Sequence, residues 1–321
     1  MLLQSYINYQ HKFSDKLLFN GGLHSQHFLL SESHVVEPRA GFKYSPNDRH
    51  TISIGSGLHS QLQPITVYFI EDESTDQTSF PNQDLGFTKA IHNVLGYDFQ
   101  LSENMRLKTE IYYQYLYDVP VDSFASNFSM LNQGAGFELP NGTGYQNNGT
   151  GTNYGMELTL ERFFNEGYYF LFTTSLFDSK FKGSDNIERN TAFNGNYIFN
   201  LLAGKEFNLK HNLTLSFDLK TTFAGGKRYT PIDITSSQMA NTEVLFNDQL
   251  FEAQHPNYFR LDFKTTLKHN GKKVNQEFSV DLQNLTNQKN IFQSGYNANT
   301  GTIGTVYQRG FFPNVQYRIN F

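Results

Sequence analysis

Two short stretches hold side chains whose types and spacing suit ligand chemistry. Glu71, Asp72 and Glu73, with Asp76 close behind, supply carboxylate oxygens of the kind that hold a hard cation. A solvated acidic loop has the same composition without any ion. Lys227, Arg228 and Tyr229 place two cations and a phenol at the edge of a long loop. There they could meet an anionic ligand, or only pack the loop. Nothing resembles a catalytic set. Gly55-Ser56-Gly57 lies inside a strand pattern and lacks the G-x-S-x-G spacing of a nucleophile elbow. The ten histidines are scattered, and the nearest pairs, such as His24 and His27, lack a partner set of the kind catalysis needs. No enzyme activity, no metal centre and no cofactor is expected. Asn127, Asn141, Asn148, Asn212 and Asn284 fit the N-x-S/T pattern; in a chain this rich in Asn they read as chance matches.

The elements that carry these residues repeat every two positions. The last seven residues, Val315, Gln316, Tyr317, Arg318, Ile319, Asn320 and Phe321, alternate apolar with polar, so one face meets oil and the other water. A strand that continues to an aromatic carboxy-terminus is unusual for a soluble protein, whose ends fray. It suits the closing strand of a membrane barrel, where unpaired backbone would face lipid. Composition agrees. Charged residues make up 17% of the 321 and aromatics 16%, all Phe and Tyr, against roughly 25% charge in soluble domains. Mean hydropathy is nonetheless negative, as expected where only alternate residues face lipid. No apolar run approaches the ~18 residues of a membrane helix. A net charge of −5 without a basic block argues against nucleic acid. With no cysteine, disulfides and thiolate-bound metal are excluded.

Taken in order, the pattern predicts about thirteen long antiparallel strands. They are separated alternately by tight turns near 12–16, 45–48, 102–104, 165–167, 209–212 and 269–272 and by longer loops. Ser45-Pro46-Asn47-Asp48 reads as a turn with Pro second, and Asn270-Gly271 as a hairpin turn. Residues 63–85, 118–152, 226–256 and 287–309 read as polar loops. Short periplasmic turns, long extracellular loops and strands of about ten residues are the pattern of a transmembrane barrel. The period assigns Leu107, Ile111, Tyr113, Leu213, Leu215, Phe217, Leu261, Phe263, Val280, Leu282, Val315, Tyr317 and Ile319 to lipid. It assigns Arg106, Lys108, Glu110, Asp218, Lys220, Asp262, Lys264, Asp281 and Arg318 to the lumen.

Several stretches resemble one family, the TonB-dependent outer-membrane receptors. Glu37-Pro38-Arg39-Ala40-Gly41-Phe42 is similar to its "EPR-x-G" strand. Asn82 to Thr88 and Tyr112 to Pro120 look like barrel segments of one subgroup. Gly225-Gly226-Lys227-Arg228-Tyr229-Thr230-Pro231 resembles a late-barrel loop, and Asp281-Leu282-Gln283-Asn284-Leu285-Thr286-Asn287 the "NL-x-N" signature before the terminal Phe strand. The resemblance implies an all-β antiparallel transmembrane barrel in the cell outer membrane. It implies residues 1–321 as the C-terminal portion of the receptor barrel, with signal peptide, TonB box, plug and early strands missing. It implies a parent that imports a scarce ligand with energy from TonB: an iron chelate, a cobalamin-like cofactor, an oligosaccharide or a peptide. Tyr317, Ile319 and Phe321 would be the assembly signal read by the barrel-assembly machinery. Other implied partners are outer-membrane lipid, the TonB complex through the missing plug, and a surface lipoprotein. The alternative is a complete small porin-like or adhesive barrel. With an odd strand count the first and last strands run the same way. The chain alone is therefore expected to form an open curved sheet with two free edges.

Overall fold

The computed structural model describes residues 1–72, 78–134, 140 and 142–321. Thirteen long strands form one antiparallel sheet. They are β1 (Leu2–Lys12), β2 (Leu17–Phe28), β3 (Ser33–Asn47), β4 (His50–Gln61), β5 (Thr88–Ser102), β6 (Met105–Val121), β7 (Gln146–Asn165), β8 (Tyr168–Lys182), β9 (Tyr197–Asn208), β10 (Leu213–Ala224), β11 (Tyr258–Asn270), β12 (Asn275–Gln283) and β13 (Phe312–Asn320). Each pairs with its predecessor and successor in the chain, and a three-residue strand, Glu188–Asn190, adds to β8. The order runs from β1 to β13 without closing. Every residue of these two edge strands is exposed. β13 ends at Asn320, so Phe321 lies one residue beyond it.

Register sorts the side chains by polarity. Along one row across four strands stand Leu215, Leu267, Phe278 and Tyr317; along the next row on the other face stand Ser216, Thr266, Ser279 and Gln316. Charges on that second face alternate across strands: Asp218 beside Lys264 beside Asp281, and Lys268 beside Glu277 beside Arg318. Burial is the reverse of a soluble sheet. Ser216, Thr266 and Ser279 are buried, while Ile111 is 54% and Leu95 50% exposed. A soluble antiparallel sheet buries its apolar face and wets its polar one. Here the polar face is the enclosed, hydrogen-bonded side, and the apolar face looks outward, as a lipid-facing wall requires. Arg106, Lys108 and Glu110 lie on the polar side: Arg106 pairs with Asp98, and Lys108 with Glu110 at 2.7 Å. No helix among the described residues is long and apolar enough to cross a membrane; a wall of this kind crosses with strands.

Connections divide between the two ends. At one end six turns of two to four residues join the strands. Glu166-Gly167 is a pair of consecutive left-handed residues forming the two-residue turn that matches strand twist; a second such pair, His211-Asn212, ends the four-residue connection 209–212. At the other end lie loops of 14 to 33 residues, with one exception, the four residues 29–32 between β2 and β3.

Two turn expectations need correction. Pro46 does not lead the turn. β3 continues through it to Asn47, with a register break after Tyr44, a place where a missing N–H costs no ladder bond. The chain reverses at 48–49, where Asn47 Oδ1 accepts the N–H groups of Arg49 and His50 at 3.0 and 3.1 Å. Nor is Asn270-Gly271 a two-residue turn. Asn270 still pairs with Asn275, and four residues span the gap, closed by Gly271 N–H donating to Val274 O at 3.1 Å.

The long loops are also less polar than composition suggests. Residues 63–85 contain a short helix, Ile65–Tyr68, whose Val67 and Tyr68 are fully buried. They pack with Phe28, Val35, Leu85, Phe87, Val119, Met130 and Tyr145 into an apolar cluster at the loop end. Residues 287–309 hold a hairpin, Ile291–Asn297 with Thr302–Tyr307.

Candidate functional site

The described residues singled out in sequence for ligand contact, Glu71, Asp72, Lys227, Arg228 and Tyr229, lie in two separate connections at the loop end. The GGKRY stretch leaves β10 through two glycines that tolerate no side chain. A Cβ on Gly225 would lie 1.7 Å from Gly195 O, and one on Gly226 1.8 Å from His255 O. Those crossings let Arg228 and Tyr229 pair with Ala253–Gln254.

Arg228 is then committed to the fold. Its Nε donates to Asn194 O at 2.8 Å, one terminal nitrogen to Asn196 Oδ1 at 3.2 Å and the other to Glu252 O at 3.3 Å. It ties two loops together. Tyr229 stacks face to face on His255, with ring centres 4.1 Å apart. Lys227 stays exposed, and its carbonyl accepts the His255 N–H at 3.0 Å. His255 is 9% exposed; burial, reinforced by the Lys227 charge, holds its imidazole below the ordinary value. The contribution of neutral His255 is thus present above the unfolded value near 6.5 and lost as the pH falls through the lowered folded one. The expected result is faster proteolysis of residues 225–257 at pH 5 than at pH 7.5, with His255→Gln flattening the difference; equal rates in the parent would contradict it.

Beneath this stack lies a cavity of about 440 Å³, bordered by Phe177, Phe193, Ile198, Tyr258, Asn290 and Phe292 together with Lys227 and His255. Its size and mixed apolar lining with a few polar groups match a small-molecule pocket. Asn290, at one wall, both accepts the Phe259 N–H and donates to Phe259 O, at 3.0 and 2.8 Å. Neither His255 nor Asn290 stood out in sequence, because their partners come from 30 or so residues away.

The acidic stretch is placed in part. Glu71 is exposed, and Asp72 N–H donates to Ser79 O at 3.0 Å. Glu73 and Asp76 lie outside the described residues. Among the described residues no three His, Asp or Glu side chains gather as a metal site.

The NL-x-N stretch serves the loop's root. Asn284 is buried in a left-handed conformation at φ 47°, which Asn tolerates better than most residues. Its Nδ2 donates to Gln288 O at 2.9 Å and Arg309 O at 3.2 Å, its Oδ1 accepts Gln288 N–H, and its own N–H donates to Asp262 Oδ1 at 2.8 Å. Asn284→Ala leaves buried backbone groups unpaired and is expected to cost about 1–3 kcal/mol. Measured as a shift in the urea midpoint of the folded protein in vesicles, a change within error would contradict this role.

Comparisons with known proteins agree with this geometry. A family model described as TonB dependent receptor-like, beta-barrel matches residues 3–287. No curated protein sequence matches the chain. Among solved structures, the chain is similar to the ferric yersiniabactin uptake receptor FyuA from Yersinia pestis, at 14% identity and a TM-score of 0.65, covering 100% of this chain and 45% of that one. It is similar to the pyoverdine outer-membrane receptor FpvA from Pseudomonas aeruginosa PAO1, at 12% identity and a TM-score of 0.67, covering 99% and 41%. It is also similar to the outer-membrane transporter YddB from Escherichia coli, at 14% identity and a TM-score of 0.65, covering 98% and 45%. The chain therefore spans less than half the length of these structures.

Proposed function

This chain belongs to the TonB-dependent receptor-like β-barrel family, and we propose that it is the C-terminal part of the wall of a receptor that imports a scarce extracellular ligand. It is a chain of the bacterial outer membrane, in a family of receptors and transporters rather than enzymes. The observation that carries the reading is the inverted burial of an open sheet. The inner strands of the thirteen-stranded antiparallel sheet bury polar-face residues such as Ser216, Thr266 and Ser279, expose apolar ones such as Leu95 and Ile111, and the sheet leaves both edges free. Bacterial single-chain barrels close an even number of strands with an antiparallel seam, which the parallel ends of this sheet do not offer; further strands would complete the ring. The short turns face the periplasm and the long loops face outward. Energy would reach the barrel from TonB through a plug. Tyr317, Ile319 and Phe321 would present the pattern that the assembly machinery reads, and a surface lipoprotein would cover the loops. Ligand would enter over the loop-end cavity beside Lys227, His255 and Phe292, with Glu71, Asp72 and Glu73 as further candidate contacts. The relatives named above are described as receptors or transporters, one for ferric yersiniabactin and one for pyoverdine; an iron chelate is the first ligand to try, with a cobalamin-like cofactor, an oligosaccharide or a peptide next.

The coding sequence immediately upstream tests this. An in-frame plug and early strands support the reading. A signal peptide placed directly before Met1 would overturn it in favour of a small porin-like or adhesive barrel.

A further inference from the structure

The polar face carries one recess that the loop-end site does not use. It lies on β1 to β5, about 880 Å³ in volume. Five glycines line it, and the four on this face, Gly22, Gly41, Gly55 and Gly57, make its floor. In one row across the sheet stand Asn8, Gly22, Arg39, Gly57 and His92; in the next stand Asn20, Gly41, Gly55 and Val94. These glycines are not all demanded by backbone crowding. A Cβ on Gly55 would find only Ala40 O, at 3.9 Å, so what glycine leaves there is open space. At Gly57 a Cβ would press on Arg39 Cγ at 3.0 Å and His59 Nε2 at 3.3 Å; glycine lets those two side chains lie over the floor.

Arg39 is the one Lys, Arg, Asp or Glu among the described residues that line the recess. Arg39, His24, His59 and His92 line the recess, with amides and tyrosines, and no Asp or Glu does. Elsewhere on this face charges alternate, as Asp218, Lys264 and Asp281 do. The adjoining carboxylate, Glu37, is 1% exposed and behind the rim. It already accepts from His24, Gln26, Arg39 and Ser60. Arg39 gives Glu37 one terminal nitrogen at 2.6 Å and remains 45% exposed. The rings of His59 and His92 sit 4.5 Å apart, and His92 Nε2 meets Gln114 Nε2. A guanidinium with nearby imidazole and amide donors, in a concave site free of carboxylates, is complementary to an oxyanion.

We propose that this recess is an anion-binding subsite on the lumen wall, which takes the carboxylate or phosphate group of a small solute. It rests on the polar face being the lumen side, which label accessibility along β6 tests separately from any binding. The experiment uses the outer-membrane protein that carries this chain, purified in detergent, titrated calorimetrically with benzoate and with inorganic phosphate, and with benzamide as the neutral control. Expected is saturable binding of benzoate or phosphate, at least tenfold tighter than benzamide. Binding of benzoate alone assigns a carboxylate ligand, and of phosphate alone a phosphate ligand. Arg39→Gln should weaken binding at least tenfold. Because that change also touches Glu37, Gly57→Val provides the second variant: it keeps the charge, fills the floor, and should also weaken binding at least tenfold. Equal binding of benzoate and benzamide, no binding of either anion, or unchanged affinity in a folded Gly57→Val protein would overturn the proposal.

Discussion

Replacing Glu37 by Ala is expected to cost about 3–5 kcal/mol, the range for breaking a buried charged pair and leaving its partner behind. The reason lies in where strand pairing stops. Towards the loop end, β3 and β4 separate after Arg39 and Gly57. Past that point no backbone ladder joins them, and Glu37 takes its place. One carboxylate oxygen accepts Gln26 Nε2 at 2.9 Å and the Ser60 hydroxyl; the other meets His24 Nδ1 at 2.7 Å and Arg39 at 2.6 Å. A single side chain therefore clamps β2, β3 and β4. Alanine removes the acceptor and leaves the amide nitrogen of Gln26, itself buried, with Ser60 Oγ as its remaining side-chain partner at 2.9 Å, while Gln26 Oε1 still accepts from Gln4. Glu37→Gln keeps an acceptor oxygen and should cost less, about 1–3 kcal/mol. Urea titration of the protein refolded into vesicles reads both, and a loss below about 1 kcal/mol for Glu37→Ala would sink the clamp.

Ile111→Arg should cost about 2–4 kcal/mol, the penalty for a cation at the midplane of a barrel's lipid face. Ile111 sits at the middle of β6 with Leu95 and Met156 as its register partners on either side. Glu110→Gln, one residue away on the opposite face, should change stability by well under half as much. The same vesicle titration measures both, and equal effects at the two positions would contradict the assignment of faces.

Why some of this was legible in sequence and some was not has physical causes. A two-residue period survives any tertiary context that keeps one face apolar, so thirteen strands and both faces could be read from residues such as Leu215, Phe217, Asp218 and Lys220. Turn geometry is a weaker signal. Pro46 has turn chemistry but sits in a strand at a bulge, and Gly271 joins a four-residue connection. Loop composition misled in another way. The apolar run Ile65 to Ile70 lies within a polar segment, and only the fold shows that it packs beneath the loops with Phe28 and Met130.

Arg228 read as a ligand contact because its charge is visible in sequence, whereas the carbonyls of Asn194 and Glu252 that receive its protons are not. Glu37 and Asn284 stood out only as parts of motifs; their work is to replace backbone pairing where strands part or a loop begins. The four glycines of the recess floor come from positions 22, 41, 55 and 57, and only the register brings them together.

The most direct measurement is a nitroxide scan of β6 in the outer membrane, from Leu107 to Tyr113. The 321 residues contain no cysteine, so each introduced thiol is the only one in this chain. Labels at 107, 109, 111 and 113 should collide with oxygen, which concentrates in lipid. Labels at 108, 110 and 112 should collide with a water-soluble nickel chelate, the two profiles running out of phase with a period of two. Profiles that do not alternate, or that alternate with the even positions in lipid, would contradict an apolar face turned to the membrane.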